Sequence, residues 1–343
     1  MNGIHGGDIY RNKVNMDFSV NINPLGIPDE VKRVLQDVAE GCQKYPDMEA
    51  SELKYAVSNM LNIPRDSMVF GNGASEIFMG IVHALRPVKT LIPVPSFYGY
   101  EYVTEAVLSN VVYFPLKEED GFLPGEDLLE ALTEDIDMIW LANPNNPTGK
   151  RMSKDYIKRL FSVCRERNIY VVLDECFIEF CGNEYSMLPD IEAYDHVLIV
   201  RAFTKIYAIP GVRLGYLVCS NKILVDKIRK QLPEWNLSLF AQEAGIACTR
   251  QMEYVSRTVV YVKKEREFLI NGLKKLGFHV YDSDTNFILI YSKRPLYEML
   301  LQRGILIRDC ANFKGLSKGY YRIAVKQRKD NEQLLKVIGD CIG

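Results

Sequence analysis

The sequence predicts an α/β protein whose large domain contains a mainly parallel sheet and is followed by a smaller α+β domain. Apolar runs typical of buried strands recur along the first two thirds of the chain, at residues 68–71, 89–94, 111–115, 138–143, 170–174, 197–201 and 213–219. Stretches with helical periodicity lie between them, at 76–85, 98–108 and 154–168. Strands that alternate with helices of this length form βαβ units, and therefore a mainly parallel sheet.

A different pattern follows. A long helical stretch at 253–276 leads into a region that mixes strands and helices, with extended segments at 278–281, 286–291, 305–308 and 320–325 and helices at 296–302 and 331–342. The helix at 31–40 is expected to pack with this part. We therefore predict a large domain at residues 45–250. Residues 1–44 and 251–343 would form an N-terminal arm and a small domain.

Composition excludes several classes of protein. The 343 residues carry a formal net charge of −2, so nothing draws the chain toward nucleic acid or an anionic membrane. No apolar run reaches the roughly 18 residues of a membrane span, and the N-terminus lacks a basic, apolar leader. A cytoplasmic location is the default expectation. The eight cysteines have no C-x-x-C spacing, so we expect reduced thiols and no metal site.

The first functional candidate is a glycine turn after a predicted strand. Residues 71–76 read Gly-Asn-Gly-Ala-Ser-Glu, and a helix follows. Glycines permit a tight turn, and the free N–H groups of a helix N-terminus bind anions. Gly73, Ala74 and Ser75 are therefore candidates for binding a phosphate. A simple turn with a helix cap is the alternative interpretation.

Two more candidates follow predicted strands. Residues 143–149, Asn-Pro-Asn-Asn-Pro-Thr-Gly, hold the Asn146 amide at a strand end, where an uncharged donor could contact a phenolic oxygen. Asp174 ends the apolar strand at 170–174, and a buried carboxylate there needs a partner. The protonated ring nitrogen of pyridoxal 5′-phosphate (PLP) is such a partner. A helix cap is the alternative role for Asp174.

Lys205 and Arg213 complete the set. Lys205 follows the strand at 197–201, which is where a lysine could form a Schiff base with PLP if its pKa were lowered. Arg213 lies eight residues later and could bind the cofactor phosphate. The whole series, from glycine turn to arginine, lies at strand ends, where chemistry collects in parallel sheets.

In this order and spacing the chain resembles the fold type I PLP enzymes of the class I/II aminotransferase group over essentially its whole length. The resemblance implies a seven-stranded sheet of the aspartate aminotransferase type and assigns the roles given above to Asn146, Asp174, Lys205 and Arg213. It also implies that Phe97 stacks on the pyridine ring. Tyr45 would reach the cofactor phosphate of a neighbouring subunit, so a homodimer with shared active sites is expected.

Within this group, residues 5–10, 17–26, 204–211, 305–313 and 320–325 resemble threonine-phosphate decarboxylases of cobalamin synthesis. Phe177 also resembles them, because aminotransferases of the group usually have tyrosine three residues after the ring aspartate. The implied reaction converts L-threonine O-3-phosphate to aminopropanol phosphate. Arg322 would bind the substrate carboxylate and Arg308 its phosphate. Asn23 and His5 would help to close the site.

Alternatives remain open. The nearest is an aminotransferase acting on histidinol phosphate or another amino acid, and serine phosphate differs from threonine phosphate by only a methyl group. A PLP-binding regulator would carry a basic DNA-binding extension, which this chain lacks. A dinucleotide-binding dehydrogenase would need G-x-G-x-x-G after its first strand. One departure from the group is Ala202, which replaces a hydroxyl residue three positions before the lysine. Thr204 is expected to contact the cofactor instead.

Overall fold

The computed structural model describes residues 5–342, which form two packed units around separate sheets. The strands, in chain order, are β1 (Met16–Asp17), β2 (Met68–Gly71), β3 (Lys89–Val94), β4 (Asn110–Pro115), β5 (Met138–Ala142), β6 (Tyr170–Asp174), β7 (Val197–Ala202), β8 (Gly215–Val218), β9 (His279–Val280), β10 (Phe287–Tyr291), β11 (Ile305–Leu306), β12 (Arg308–Asp309) and β13 (Tyr320–Ala324). Most lie within one or two residues of the runs predicted from the sequence.

The helices lie between and around these strands. They are α1 (Asp29–Asp37), α2 (Ser51–Leu61), α3 (Ala74–Leu85), α4 (Tyr98–Glu105), α5 (Glu126–Ala131), α6 (Lys154–Glu166), α7 (Phe203–Ile206), α8 (Lys222–Arg229), α9 (Leu239–Thr249), α10 (Met252–Lys275), α11 (Leu296–Leu301) and α12 (Arg328–Ile342). Short 3₁₀ helices cover Val38–Gly41, Arg65–Ser67, Ile178–Phe180, Asn183–Tyr185 and Leu188–Ala193. No helix within residues 5–342 combines the length and apolar character needed to cross a bilayer.

The large unit is built on a seven-stranded sheet with the order β2-β8-β7-β6-β5-β3-β4. Neighbours from β4 through β7 pair in parallel, and only β8 runs against the others. The carboxyl ends of β5, β6 and β7 therefore lie side by side at one edge. This is the edge at which parallel sheets place their ligands.

Alternating strand residues fill two cores, one on each face of this sheet. On β6, Val171 and Leu173 join one core while Val172 joins the other, which is why the strand is apolar throughout. Helix α10 then connects the units. Its residue Val262 packs in a core of the large unit and Leu269 in the core of the small unit.

The small unit contains a four-stranded antiparallel sheet with the order β12-β13-β10-β9. Strand β1, from the N-terminal segment, pairs in parallel with β11. The N-terminal segment thus belongs partly to this unit, but helix α1 does not. The expectation that α1 packs with the small unit is wrong, because Val31 is buried in a core of the large unit together with Ala241 of α9.

Candidate active site

A cavity of about 360 Å³ lies at the carboxyl edge of the large sheet, between the two units. It brings together most of the residues singled out in the sequence, although they are as far apart in the chain as His5 and Arg322. The predicted site residues that line it are His5, Ala74, Ser75, Phe97, Asn146, Asp174, Thr204, Lys205, Arg213, Arg308 and Arg322.

Lys205 lies on the short helix α7, immediately after β7. Burial lowers the pKa of its amine to about 8, and the positive charges of Arg322 and Arg213 act in the same direction. A lysine with this pKa is neutral in a substantial fraction of molecules near physiological pH. It can therefore act as a nucleophile toward a carbonyl group, as the sequence predicts.

Asp174 ends β6 and is held by two donors. The Tyr100 hydroxyl donates to Oδ2 at 2.6 Å, and the backbone N–H of Cys176 donates to Oδ1 at 2.9 Å. Burial raises the pKa of Asp174, while these donors oppose the increase. Tyr100 was not among the residues predicted from the sequence. It lies on α4 and stacks on Trp140 with ring centroids 4.9 Å apart.

Gly73, Ala74 and Arg213 form a cradle at the N-terminus of α3. Gly73 has φ +81°, and a Cβ atom there would lie 2.2 Å from Nη2 of Arg213. The arginine therefore fills the space that a side chain at position 73 would need. Its Nη1 donates to the carbonyl of Pro210 at 3.2 Å. A guanidinium held against free helix N–H groups is suited to a phosphate group.

Two aromatic side chains and one amide line the middle of the cavity. Phe97 packs edge-on against Tyr100, with centroids 5.6 Å apart. Phe177 packs edge-on against Phe287 at 5.2 Å and offers no hydroxyl group. The Asn146 side-chain oxygen accepts a hydrogen bond from Arg322, so its amide N–H₂ is the end that remains for a ligand.

Arg308 and Arg322 supply positive charge from the small unit. Both are buried, with 6% exposure each. Arg322 donates through Nη2 to the carbonyl of Ser19 at 2.7 Å, and burial lowers its pKa to about 10. Arg308 donates to the Asn312 side-chain oxygen at 2.7 Å. The His5 ring lies 5.8 Å from that of Phe97, and burial lowers its pKa with help from both arginines.

Asn23 was predicted to help close the site, and this prediction is wrong. Its Nδ2 donates to the carbonyl of Ile206 at 2.6 Å and to the Thr258 hydroxyl at 2.8 Å. Its Oδ1 accepts from the backbone N–H of Leu25 at 3.0 Å. The amide is thus used to hold the chain beyond Lys205, outside the cavity lining. Asn21, two residues earlier, lines the cavity instead and was missed.

Tyr45 lies outside the cavity of its own chain. Its side chain is 85% exposed, and its ring is 5.4 Å from that of Trp235. Contact with the cofactor of a second subunit therefore stays a prediction. Ala202 and Thr204 both line the cavity. The Thr204 hydroxyl therefore lies two residues from the position at which this group usually has a hydroxyl side chain.

These observations test whether PLP fits. A cradle for its phosphate lies at one end of the cavity, and a buried carboxylate lies at the end of β6. A lysine of lowered pKa lies on α7, directly after β7, the strand that pairs with β6. This combination matches the three groups by which the cofactor is held. Fold and site together define a PLP-dependent enzyme of fold type I.

Comparison with known proteins agrees. The chain belongs to the aminotransferase class I and II family, whose profile matches residues 13–338. It is 33% identical to the threonine-phosphate decarboxylase of Salmonella typhimurium, an alignment that covers 99% of this chain and 97% of that protein. PLP is the cofactor.

The solved structures similar to this chain include enzymes with two different activities. The histidinol-phosphate aminotransferase from Clostridium acetobutylicum superposes with a TM-score of 0.90 at 33% identity, covering 95% of this chain and 99% of that one. The L-threonine-O-3-phosphate decarboxylase from Porphyromonas gingivalis superposes with a TM-score of 0.84 at 26% identity, covering 94% and 98%. Both activities therefore occur among proteins similar to this chain.

Proposed function

We propose that this protein decarboxylates L-threonine O-3-phosphate to aminopropanol phosphate, which serves the synthesis of the cobalamin side chain. The observation that carries the proposal is the placement of Arg308 and Arg322, two buried arginines that line the same cavity as Lys205. They provide anchors for two anionic groups on one short substrate. Threonine phosphate has a carboxylate and a phosphate on either side of its amine.

The three arginines of the cavity match in number the cofactor phosphate and the two anionic groups of this substrate. Arg213 lies in the cradle with Gly73 and the start of α3, which suits the cofactor phosphate. Arg308 and Arg322 then remain for the substrate. Arg322 donates to Asn146 and is assigned the carboxylate. Arg308, on the edge strand β12 of the small sheet, donates to Asn312 and is assigned the phosphate.

These two anchors would determine which bond breaks. Bound PLP supplies an electron sink for whichever bond at the substrate Cα stands perpendicular to its ring. A decarboxylase must hold the Cα–carboxylate bond in that direction, and an aminotransferase must hold the Cα–H bond there. Arg308 and Arg322 together fix this orientation. Once carbon dioxide has left, the Lys205 amine is the candidate donor of a proton to Cα.

A second candidate is an aminotransferase acting on histidinol phosphate or another amino acid. The 0.90 TM-score to a histidinol-phosphate aminotransferase supports it. Phe177 favours decarboxylation, because its ring cannot donate a hydrogen bond where the aminotransferases of the group usually have tyrosine. Histidinol phosphate also lacks a carboxylate, so it would use only one of the two arginine anchors.

The test is to mix the holoenzyme with L-threonine O-phosphate and measure released carbon dioxide. L-serine O-phosphate and histidinol phosphate are assayed in parallel, each with and without 2-oxoglutarate. Decarboxylation predicts carbon dioxide without any oxo acid. Glutamate formation without carbon dioxide would instead establish the aminotransferase. The Lys205→Ala variant controls for release that does not depend on the lysine.

A homodimer in the cytoplasm is part of this proposal. Tyr45 and Trp235 form an exposed aromatic pair, with 85% and 46% exposure, of the kind that is enriched in subunit interfaces. If Tyr45 reaches the partner's cofactor, Tyr45→Phe lowers PLP affinity while the dimer persists. Light scattering with PLP titration separates these two effects.

A further inference from the structure

Lys314 connects the small unit to the large unit at the edge of the cavity. Its Nζ lies 3.1 Å from Oε1 of Glu101, and it donates to the Tyr113 hydroxyl at 2.6 Å. The ammonium also stands over the Tyr113 ring, 3.9 Å from its centroid. Glu101 belongs to α4 and Tyr113 to β4. We call these three residues the Lys314 bridge.

At one end of this bridge are residues that hold Arg308. Lys314 follows directly after Asn312 and Phe313. Asn312 accepts a hydrogen bond from the Arg308 guanidinium, which also lies 5.1 Å from the centroid of the Phe313 ring. A shift of Lys314 therefore moves the side chains that orient Arg308.

At its other end are residues that hold Asp174 and the cofactor ring. Glu101 is the next residue after Tyr100, whose hydroxyl donates to Asp174 at 2.6 Å. Phe97, the predicted stacking residue, immediately precedes α4. The bridge thus relates the position of Arg308 to the position of the cofactor site.

Apolar packing around the Lys314 bridge is incomplete. A second cavity of about 230 Å³ lies between α4 and the loop at residues 310–319, which joins β12 to β13. It is lined by Phe97, Tyr98, Glu101, Tyr113, Phe313 and Lys314 among others. Loop and helix are therefore not joined by a continuous apolar core at this place. Beside this cavity the loop contacts the large unit through Gly315, where a Cβ atom would lie 3.1 Å from the Pro95 nitrogen.

We propose that Lys314 is a positioning residue that, through Glu101 and Tyr113, sets where Arg308 holds the substrate phosphate relative to the cofactor ring. It thereby controls how often decarboxylation occurs rather than transamination, in which the amino group passes to the cofactor and the substrate leaves as a 2-oxo acid. This inference rests on the proposed function. Arg322 has separate ties, to Asn146 and Ser19, so the bridge adjusts one anchor only.

Loss of the bridge should leave the fold intact. Side-chain exposure is 47% for Lys314 and 16% for Glu101, and ion pairs of this kind contribute little to stability. Small misplacements of a substrate anchor, by contrast, change rates strongly. Lys314→Met is therefore expected to act on the reaction and not on the unfolding temperature.

The experiment compares Lys314→Met and Glu101→Gln holoenzymes with the unaltered protein on L-threonine O-phosphate. 2-Oxoglutarate is present as the amino acceptor, so that the aminated cofactor returns to PLP after each transamination. Carbon dioxide and the 2-oxo acid formed from the substrate are both measured, together with KM and kcat. We expect KM to rise by roughly tenfold and the ratio of oxo acid to carbon dioxide to rise several-fold. The cofactor absorbance of each holoenzyme before substrate is added should be unchanged. Combining Lys314→Glu with Glu101→Lys reverses the ion pair and should restore part of the KM and part of the product ratio.

Lys150→Met is the matched control, because Lys150 also spans the two units, 3.9 Å from Asp282, away from Arg308. An unchanged ratio and KM in both bridge variants, or equal changes in the control, would overturn the inference. If the unaltered protein releases no carbon dioxide, the proposed function fails. The effect of Lys314 on KM for the phosphorylated substrate is still measured in that case.

Discussion

Arg308 and Arg322 are register partners on neighbouring antiparallel strands, so two buried guanidinium groups project from opposing positions of β12 and β13. Like charges at directly opposed positions repel each other. Burial also lowers the pKa of both groups, which is the sign that their charged forms are disfavoured there. An anionic ligand beside this pair would offset both costs, and this explains why such an arrangement suits a doubly anionic substrate.

Arg322→Lys should lower kcat/KM for L-threonine O-phosphate by roughly tenfold to a hundredfold. A lysine keeps the charge but loses the planar pair of donors that matches a carboxylate, and a hydrogen bond to a charged group contributes about 1.5–3 kcal/mol. Steady-state kinetics measure the loss. Arg257→Lys, on an exposed face of α10, is the control. Unchanged kinetics in Arg322→Lys would mean that the carboxylate binds elsewhere.

Gly73→Ala should weaken PLP binding by at least about tenfold, because the new Cβ would lie 2.2 Å from Arg213 Nη2 and displace that guanidinium. Gly121→Ala is a matched control. Gly121 also has positive φ, +64°, but nothing lies within 4 Å of its Cβ position. Both variants carry similar backbone strain, so comparable losses of stability are expected. Titration of each variant with PLP separates the effect of backbone strain from the loss of the phosphate cradle. Equal PLP affinities in the two variants would contradict the assignment of Gly73 and Arg213 to the cofactor phosphate.

Much of the fold could be predicted because β6 and its neighbours are apolar runs bounded by clear turns, and the strand ends carry the site. The contacts between elements distant in the chain were harder to predict from the sequence. The apolar side of α1 indicates that it is buried but does not identify α9 as its partner. Tyr100 was missed because its contact with Asp174 joins positions 74 residues apart and depends on the rotation of α4. Asn23 was misassigned because a turn asparagine can serve the backbone as readily as a ligand.

Tyr100→Phe should lower kcat by about tenfold and move the acid limb of the pH profile to higher pH. The lost hydroxyl donates to Asp174 at 2.6 Å and opposes the rise in the pKa of that carboxyl that burial causes. Without the donor the Asp174 pKa rises further, so the carboxylate is protonated at a higher pH. Tyr102→Phe, on the exposed face of α4, controls for the loss of a phenol. An identical pH profile would exclude a role for Tyr100 in setting the charge of Asp174.

Lys205 makes the stability of the cofactor-free protein depend on pH. Its pKa is about 8 in the folded chain against 10.5 in the unfolded chain. Between these values the unfolded chain binds more protons, so this group makes the free energy of unfolding rise with pH. Its full cost is present below about pH 8 and is lost above pH 10.5.

Lys205→Met should therefore stabilise the cofactor-free protein near neutral pH, because methionine retains the apolar stem and removes the buried charge. The gain should shrink as pH rises from about 8 and vanish by about 10.5. Urea unfolding of both proteins across this range measures it. A gain that stays constant with pH would show that packing, and not the charge of Lys205, is responsible. The same amine must be neutral to attack PLP, so the rate of cofactor attachment to the unaltered protein should rise up to about pH 8 and then level off.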